Sequence, residues 1–434
     1  MSRLRRALEE VASGTALAAA LASRLDSLAE TRIFESDLLP SPAALPGLAR
    51  LFAADAESAR FVANRPSLFA RLARGGLPQL RERRAALESG ARFDPELPLE
   101  DALDELRLAR REESSAVACL DLAGQIPFEE ASLHLSLLAE SIVVRALALA
   151  QRGREEVPIV VLGMGKIAGR EFTYHSDLDL IFLYAGGPDR VVAASRVGQR
   201  LIAYLTTMTG AGVAYPVDAR LRPSGQQGML VTAIDRFEAY QCEQAETWEH
   251  VALLRGRAIA CVAAPGAEVL ARVHAAITSR RHKPWRYLAD LRERVERERA
   301  AEIGPERAFK TGPGGLMDVD FLAAGAQLER GRSAPIPLPS APNLLAAAVA
   351  GERVERVLRN YGFLRRVEAR ARLVAGRGVE GLPADPAALE LVAELVEPGL
   401  SGAALLARQA ALRAELRGAW QRVIAADSIA ALEE

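Results

Sequence analysis

Apolar residues recur along this chain with two different periods, and the changes of period divide it. From 1 to about 150 they fall three and four positions apart, the spacing of helices that bury one face. The segment 1–26 reads as amphipathic helix, and 48–73 as short helical pieces with Pro66 suited to a helix start. Segments 99–124 and 128–152 are longer helices on the same pattern. The texture then shortens. VPIVVLGMG (157–165) and DLDLIFLY (177–184) are β-branched and apolar runs that predict strands. VAYPVDARLRP (213–223) predicts a third, with a helix over 194–210 before it. Beyond residue 232 the helical period returns, with two helices expected in 233–260 and more in 267–300. A Pro/Ser-rich linker occupies 331–343, and the last ninety residues pattern as a helical bundle. No internal repeat of fixed period is present. The pattern therefore predicts a compact mixed α/β unit between helical flanks.

At 434 residues the chain exceeds one ordinary core, so two or three domains are expected. Half of the residues are hydrophobic and 26% are charged, as in soluble globular proteins. The net charge of −1 leaves no global basic footprint for binding nucleic acid without regard to sequence. No apolar stretch approaches the roughly 18–20 residues of a membrane span. Glu9 and Glu10 interrupt the N-terminal run where a signal peptide needs its apolar core. Cys119, Cys242 and Cys261 show no metal or disulfide spacing, so a reducing cytoplasm and buried thiols are expected. Only three of 55 basic residues are lysine, and two of these, Lys166 and Lys310, fall inside the motifs described next.

The chemistry concentrates in GMGKIAGREFTYHSDLDLIFLY, 163–184. On a strand, residues two apart share a face, so Asp177 and Asp179 project together beside Ile181 and Leu183. Leu178, Leu180 and Phe182 face the other way. Two carboxylates this close repel unless a positive charge lies between them, and a hard divalent cation is the usual resolution. In the third expected strand Asp218, Arg220 and Arg222 share a face opposite Val213, Tyr215, Val217, Ala219 and Leu221. If it lies beside the aspartate strand, three carboxylates with cations nearby meet the needs of two-metal phosphoryl or nucleotidyl transfer. Gly163 and Gly165 would let the backbone approach a phosphate, with Lys166 as a point charge. The same glycines also fit a dinucleotide fingerprint ending at Ala168. That motif, however, wants a whole helix, then an acid about 20 positions on at the end of a strand. No Walker A loop is present.

In order, LGMGKIAGREFTYHSDLDLIFLY, VDARLRPSGQQGMLVT, YQCEQAETWEHVALLRGRA and FKTGPGGLMDVDFLA closely resemble the glutamine synthetase adenylyltransferases, across about 157–325. The likeness is weaker in 48–73 and only general beyond 340. The common long form of that family has two nucleotidyltransferase halves; this chain is the size of one and most resembles the C-terminal, adenylylating half. The resemblance implies an α+β, predominantly helical fold. Its nucleotidyltransferase core, similar to DNA polymerase β, would be flanked by N-terminal helices and a C-terminal helical bundle. The corresponding domains are 1–125, 126–300 and 301–434. It also implies transfer of AMP from ATP, with two Mg²⁺, to a tyrosine of glutamine synthetase, in the cytoplasm. Nucleic acid and membrane are not implied partners, whereas a PII-type signal protein is a possible one. Carried over, Asp177, Asp179 and Asp218 are the catalytic and metal-binding carboxylates. Gly163, Gly165, Lys166 and Ser176 contact phosphates, and Arg220, Arg222, Ser224 and Gly225 line the nucleotide side of the cleft.

Ala168 stands where the family usually has glycine, His175 where a small polar residue is usual, and Asp320 where it has glutamate. Two alternatives stay open: the reverse, phosphorolytic deadenylylation, and a regulatory protein that binds ATP or its partner without transferring. Trp248 reads as core packing more readily than as a substrate contact. Lys310 with Gly312, Gly314 and Gly315 reads equally as a second phosphate-approaching loop or a flexible connection. His134, His274 and His282 suggest no role.

Overall fold

The computed structural model describes residues 2–34, 38–74, 80–223, 228–279, 283–331 and 336–433. It is mostly helical around a small mixed sheet, an α+β arrangement. The N-terminal flank is α1 (Arg3–Ala12), α2 (Leu17–Ser27), α3 (Leu45–Ala54), α4 (Ala56–Ala63), α5 (Pro66–Ala73), α6 (Leu80–Glu88), α7 (Leu99–Leu122) and α8 (Phe128–Gln151). The central part runs β1 (Ile159–Met164), α9 (Gly165–Ala168), β2 (Leu178–Tyr184), α10 (Val191–Thr206), β3 (Val217–Asp218), β4 (Val231–Ala233), α11 (Ile234–Glu243), α12 (Thr247–Leu253) and β5 (Gly256–Val262). Then follow α13 (Gly266–Ser279), α14 (Trp285–Val295), α15 (Ala301–Ile303), α16 (Leu316–Arg330), α17 (Ala341–Ala348), α18 (Glu352–Ala375), α19 (Pro386–Val396) and α20 (Gly402–Ala426).

The sheet order is β3-β2-β1-β5, with β4 also paired to β2. β1 runs antiparallel to β2 and β5, while β3 and β4 lie parallel to β2. Both faces are buried, so β1 and β2 read as continuous apolar runs. Ile159, Val161, Leu178, Leu180 and Phe182 join the core built largely by the N-terminal helices. Val160, Leu162, Met164, Ile181 and Leu183 join a second core with Trp285, Phe309, Leu316 and Trp420. The period-two reading of β2 therefore assigns its two faces correctly, and the face of Asp179 is the one turned to the C-terminal helices.

Four sequence expectations need correction. The third strand shrinks from 213–223 to Val217–Asp218, because Arg222 turns back to the Ala219 carbonyl at 2.6 Å and the Gly228 carbonyl at 3.2 Å, curling the chain out of the sheet. The expected helical stretch 233–260 holds α11 and α12 but ends inside strand β5. β5 lies at an edge with one register shift against β1, so its half-buried pattern does not alternate cleanly. On length and composition α8 could cross a membrane; here it is a core helix packed on α7, α10 and β5, with 78% of its most apolar window buried. Cys119 is buried as expected, whereas Cys261 is exposed on β5. His282 lies outside the described residues.

Candidate active site

The register of β2 and β3 sets the site. Asp179 pairs directly with Asp218, and laterally paired residues of neighbouring strands project to the same face. Asp177 is exposed one residue before β2. At the end of β1 the chain turns through Gly165, whose φ of +57° favours glycine. A Cβ on Gly165 would lie 3.7 Å from Asp179 Oδ2, so the turn lies directly against this carboxylate. Burial, then the negative charges of Asp177 and Asp218, push the Asp179 carboxyl up to about 6, with Lys166 and Lys310 opposing. The three aspartates thus form one electrostatic group, on which the charges of Lys166 and Lys310 also act.

Asp218 is not free in this arrangement. Arg220 Nε lies 3.0 and 2.9 Å from its two oxygens, the Arg220 N–H donates to Oδ1 at 2.9 Å, and the side-chain contact holds the carboxyl below its ordinary value. With Asp218 in that fork, no three His, Cys, Asp or Glu side chains among the described residues form a ready metal site. The donor set still suits a hard cation: it offers carboxylate oxygens only, and burial together with their mutual repulsion already raises Asp179. Arg220 is mostly solvent-exposed and can swing away without disturbing the core.

The other expected site residues fall into three groups. Gly163 is required by packing, since a Cβ would come 2.9 Å from Ile167 and 3.0 Å from Ile259. The Gly165 N–H donates to the Arg255 carbonyl at 2.8 Å and is not a spare phosphate donor. Lys166 reaches α18, donating to the fully buried Glu368. Burial pushes its ammonium down to about 7; Arg372, Arg365 and Lys310 add to this, and Glu368 opposes. Ser176 is buried, its hydroxyl accepting from the Thr173 N–H and from Arg372, each at 3.3 Å. Arg222 closes the loop after β3 as described above. Ser224 and Gly225 lie outside the described residues.

Sequence reasoning missed what the C-terminal helices bring. On α18, Tyr361, Arg365, Glu368 and Arg372 follow one helical stripe. Tyr361 donates to Glu171 at 2.8 Å, Arg365 to the Glu171 carbonyl and to Glu368, and Arg372 to the His175 carbonyl and Ser176. Every residue of the stripe thus touches the 166–176 segment. Glu171 and Asp320 share Arg255, each at 2.6 Å. Lys310 pairs with Glu380 at 2.6 Å. Gly314 and Gly312 serve packing instead: a Cβ would meet the Arg413 carbonyl at 1.8 Å and the Arg413 side chain at 2.4 Å. The loop is therefore wedged against α20 rather than being a loose connection. Trp248, 40% exposed, is not a core residue. The only signals in the sequence were polar residues in mid-helix on α18 and a lysine in a lysine-poor chain.

Comparison with known proteins points the same way. The family model of glutamate-ammonia ligase adenylyltransferase matches residues 46–272, and that of GlnD PII-uridylyltransferase matches 286–425. A bifunctional glutamine synthetase adenylyltransferase/adenylyl-removing enzyme of Thioalkalivibrio sulfidiphilus is 33% identical over 70% of this chain and 34% of its own length. One of that name from Pseudomonas aeruginosa is 32% identical over 79% of the chain and 40% of its own length. A third, from Nitrosococcus oceani, is 37% identical over 52% of the chain and 26% of its own length. The chain thus spans well under half the length of these relatives.

Proposed function

The chain belongs to the glutamate-ammonia ligase adenylyltransferase family, and on that premise we propose that it transfers AMP from ATP to a tyrosine of glutamine synthetase. The observation that carries the reading is the in-register pairing of Asp179 with Asp218, with Asp177 adding its charge to theirs. Asp177, Asp179 and Asp218 would hold Mg²⁺, two ions in the usual arrangement, which supplies charge neutralisation at the transferring phosphoryl group. Arg220 must first release Asp218, and its exposed position allows this. Lys166 and Lys310 place positive charge beside Asp179 for the nucleotide phosphates. The phenolic oxygen of the acceptor attacks the α-phosphorus, the α–β anhydride bond breaks, and pyrophosphate leaves with its electron pair. The phenolic proton passes to a carboxylate of the site or to solvent.

The family likeness supports a core of the DNA polymerase β type, with domains near 1–125, 126–300 and 301–434. It also supports a cytoplasmic setting and control by a PII-type signal protein, to which the uridylyltransferase match at 286–425 adds weight. The names of the relatives carry both directions, so the reverse reaction, phosphate attacking the AMP–tyrosine linkage, is the second reading. The test is direct. Protein, ATP, Mg²⁺ and purified glutamine synthetase are combined, and intact mass is measured for one added AMP. Adenylylated glutamine synthetase with phosphate tests the reverse. ATP binding with no mass change in either direction would leave a regulatory binding protein.

A further inference from the structure

A cavity of about 310 Å³ opens beside the carboxylates, and nothing above gives it an occupant. Gly165 and Asp179 line one part, so it is continuous with the site. Its remaining walls come mainly from α12, α14 and α16, with Met164 and Leu221 beside them, and are mainly apolar. Two features break that character. Trp248 of α12 lines the cavity while 40% exposed, whereas Trp285 and Trp420 are buried at 0% and 4%. An indole left uncovered next to an apolar hollow is a stacking surface without its partner. The second feature is the pair Arg255–Asp320. Arg255 donates to Asp320 Oδ1, and Asp320 Oδ2 makes no hydrogen bond to the described residues. The Nε of Arg255 is likewise without a partner there.

We propose that this cavity is the nucleobase subsite, in which Trp248 stacks on the ring and Asp320 selects a 6-aminopurine over a 6-oxopurine. The inference rests on the nucleotide reading above and adds where the base goes and what reads it. A nucleotide with its phosphates at Asp179 and the Gly165 turn has its base within reach of the adjoining apolar hollow. The exocyclic amine of a 6-aminopurine donates to the open Asp320 oxygen. A 6-oxopurine would set a carbonyl acceptor against that carboxylate, leaving two acceptors face to face and both unpaired. An acceptor phenol fits less well, because its one polar atom must be at the reaction centre and leaves nothing for Asp320 and Arg255.

Trp248 is its own probe, being the exposed tryptophan of the three. Binding of adenosine, inosine, tripolyphosphate and ATP is followed by tryptophan quenching in the wild type and by calorimetry in all proteins. Trp248→Ala is expected to weaken adenosine and ATP by at least about fivefold, the scale of one base–aromatic stack, and to leave tripolyphosphate unchanged. Trp248→Phe restores most of the loss. Asp320→Asn brings adenosine and inosine towards equal affinity, in protein shown folded by its thermal melt. Unchanged ATP affinity in Trp248→Ala overturns the stacking role. A raised KM for glutamine synthetase with unchanged ATP affinity would assign the cavity to the acceptor instead. Undiminished preference for adenosine in Asp320→Asn removes the selectivity. If neither ATP nor tripolyphosphate binds the wild type, the nucleotide reading falls, and this one with it.

Discussion

Asp179 concentrates the conflict between folding and chemistry. It is a partly buried carboxylate beside two others, so its ionised form costs stability that a bound cation would recover. Asp179→Asn removes the charge and keeps the shape. The expected outcome is an apparent melting temperature equal to or above that of the wild type, with AMP transfer reduced by about a thousandfold or more. Thermal melts and the intact-mass assay together check it, and near-normal transfer would make the pair ordinary strand-end charge. Lys166 is a compact ammonium inserted among Glu368, Arg365, Arg372 and Lys310. A guanidinium is larger and planar and would be displaced from that position. Lys166→Arg should therefore weaken ATP binding or slow transfer, with Lys166→Ala worse in both. Wild-type constants for the arginine variant would remove Lys166 from the site.

At the scale of elements, α18 does more than pack. Its stripe Tyr361, Arg365, Glu368 and Arg372 holds the 166–176 segment that carries Lys166 and leads into Asp177. Glu368 is the only anion of that stripe, and Lys166, Arg365 and Arg372 all pair with it. Glu368→Gln leaves Arg365, Arg372 and Lys166 without their shared anion, and is expected to cost about 3 kcal/mol, the scale of breaking a buried pair. Adding Lys166→Met should recover part of that loss in a double-mutant cycle, and strict additivity would deny the coupling. A second buried carboxylate joins three N-terminal helices: Glu113 of α7 meets Arg83 of α6 and His134 of α8. Despite burial, which alone would raise it, these partners hold Glu113 down at about 2. A carboxyl depressed from 4.5 to about 2 contributes stability that is complete above pH 4.5 and lost as pH falls towards 2. Acid titration of the melting temperature should show a loss in that window that Glu113→Gln, itself less stable at pH 7, does not share.

Across the whole molecule, the sheet is a partition between two cores, and the site forms where its carboxylate end meets the C-terminal helices. The 309–315 loop delivers Lys310 to that meeting only while it is wedged on α20. Gly314 has φ +67°, and a Cβ there would clash with the Arg413 carbonyl. Gly314→Ala should cost about 1–3 kcal/mol or more through displacement of α20, read by a denaturant midpoint, although it lies in no strand and its one aspartate contact is the N–H donating to Asp318 at 3.0 Å.

Local and periodic features are legible in the residues alone. Asp177 and Asp179 open a strand whose two faces were readable from alternation alone, and most helices followed from their apolar stripes. Strand β5 was not legible, because an edge strand with a register shift loses its alternation, and the expected third strand was too long, because Arg222 pulls the chain out of it. The non-local features arise only in the folded chain. Asp218 lies beside Asp179 through a backbone pairing across about forty residues of sequence. Lys166 meets Glu368 across two hundred, and Trp248 and Asp320 share a cavity although seventy residues apart. Period and propensity describe how a residue sits on its own element. Which elements are brought face to face is set by burial of two apolar cores at once, and that burial is written over the whole chain rather than in any one motif.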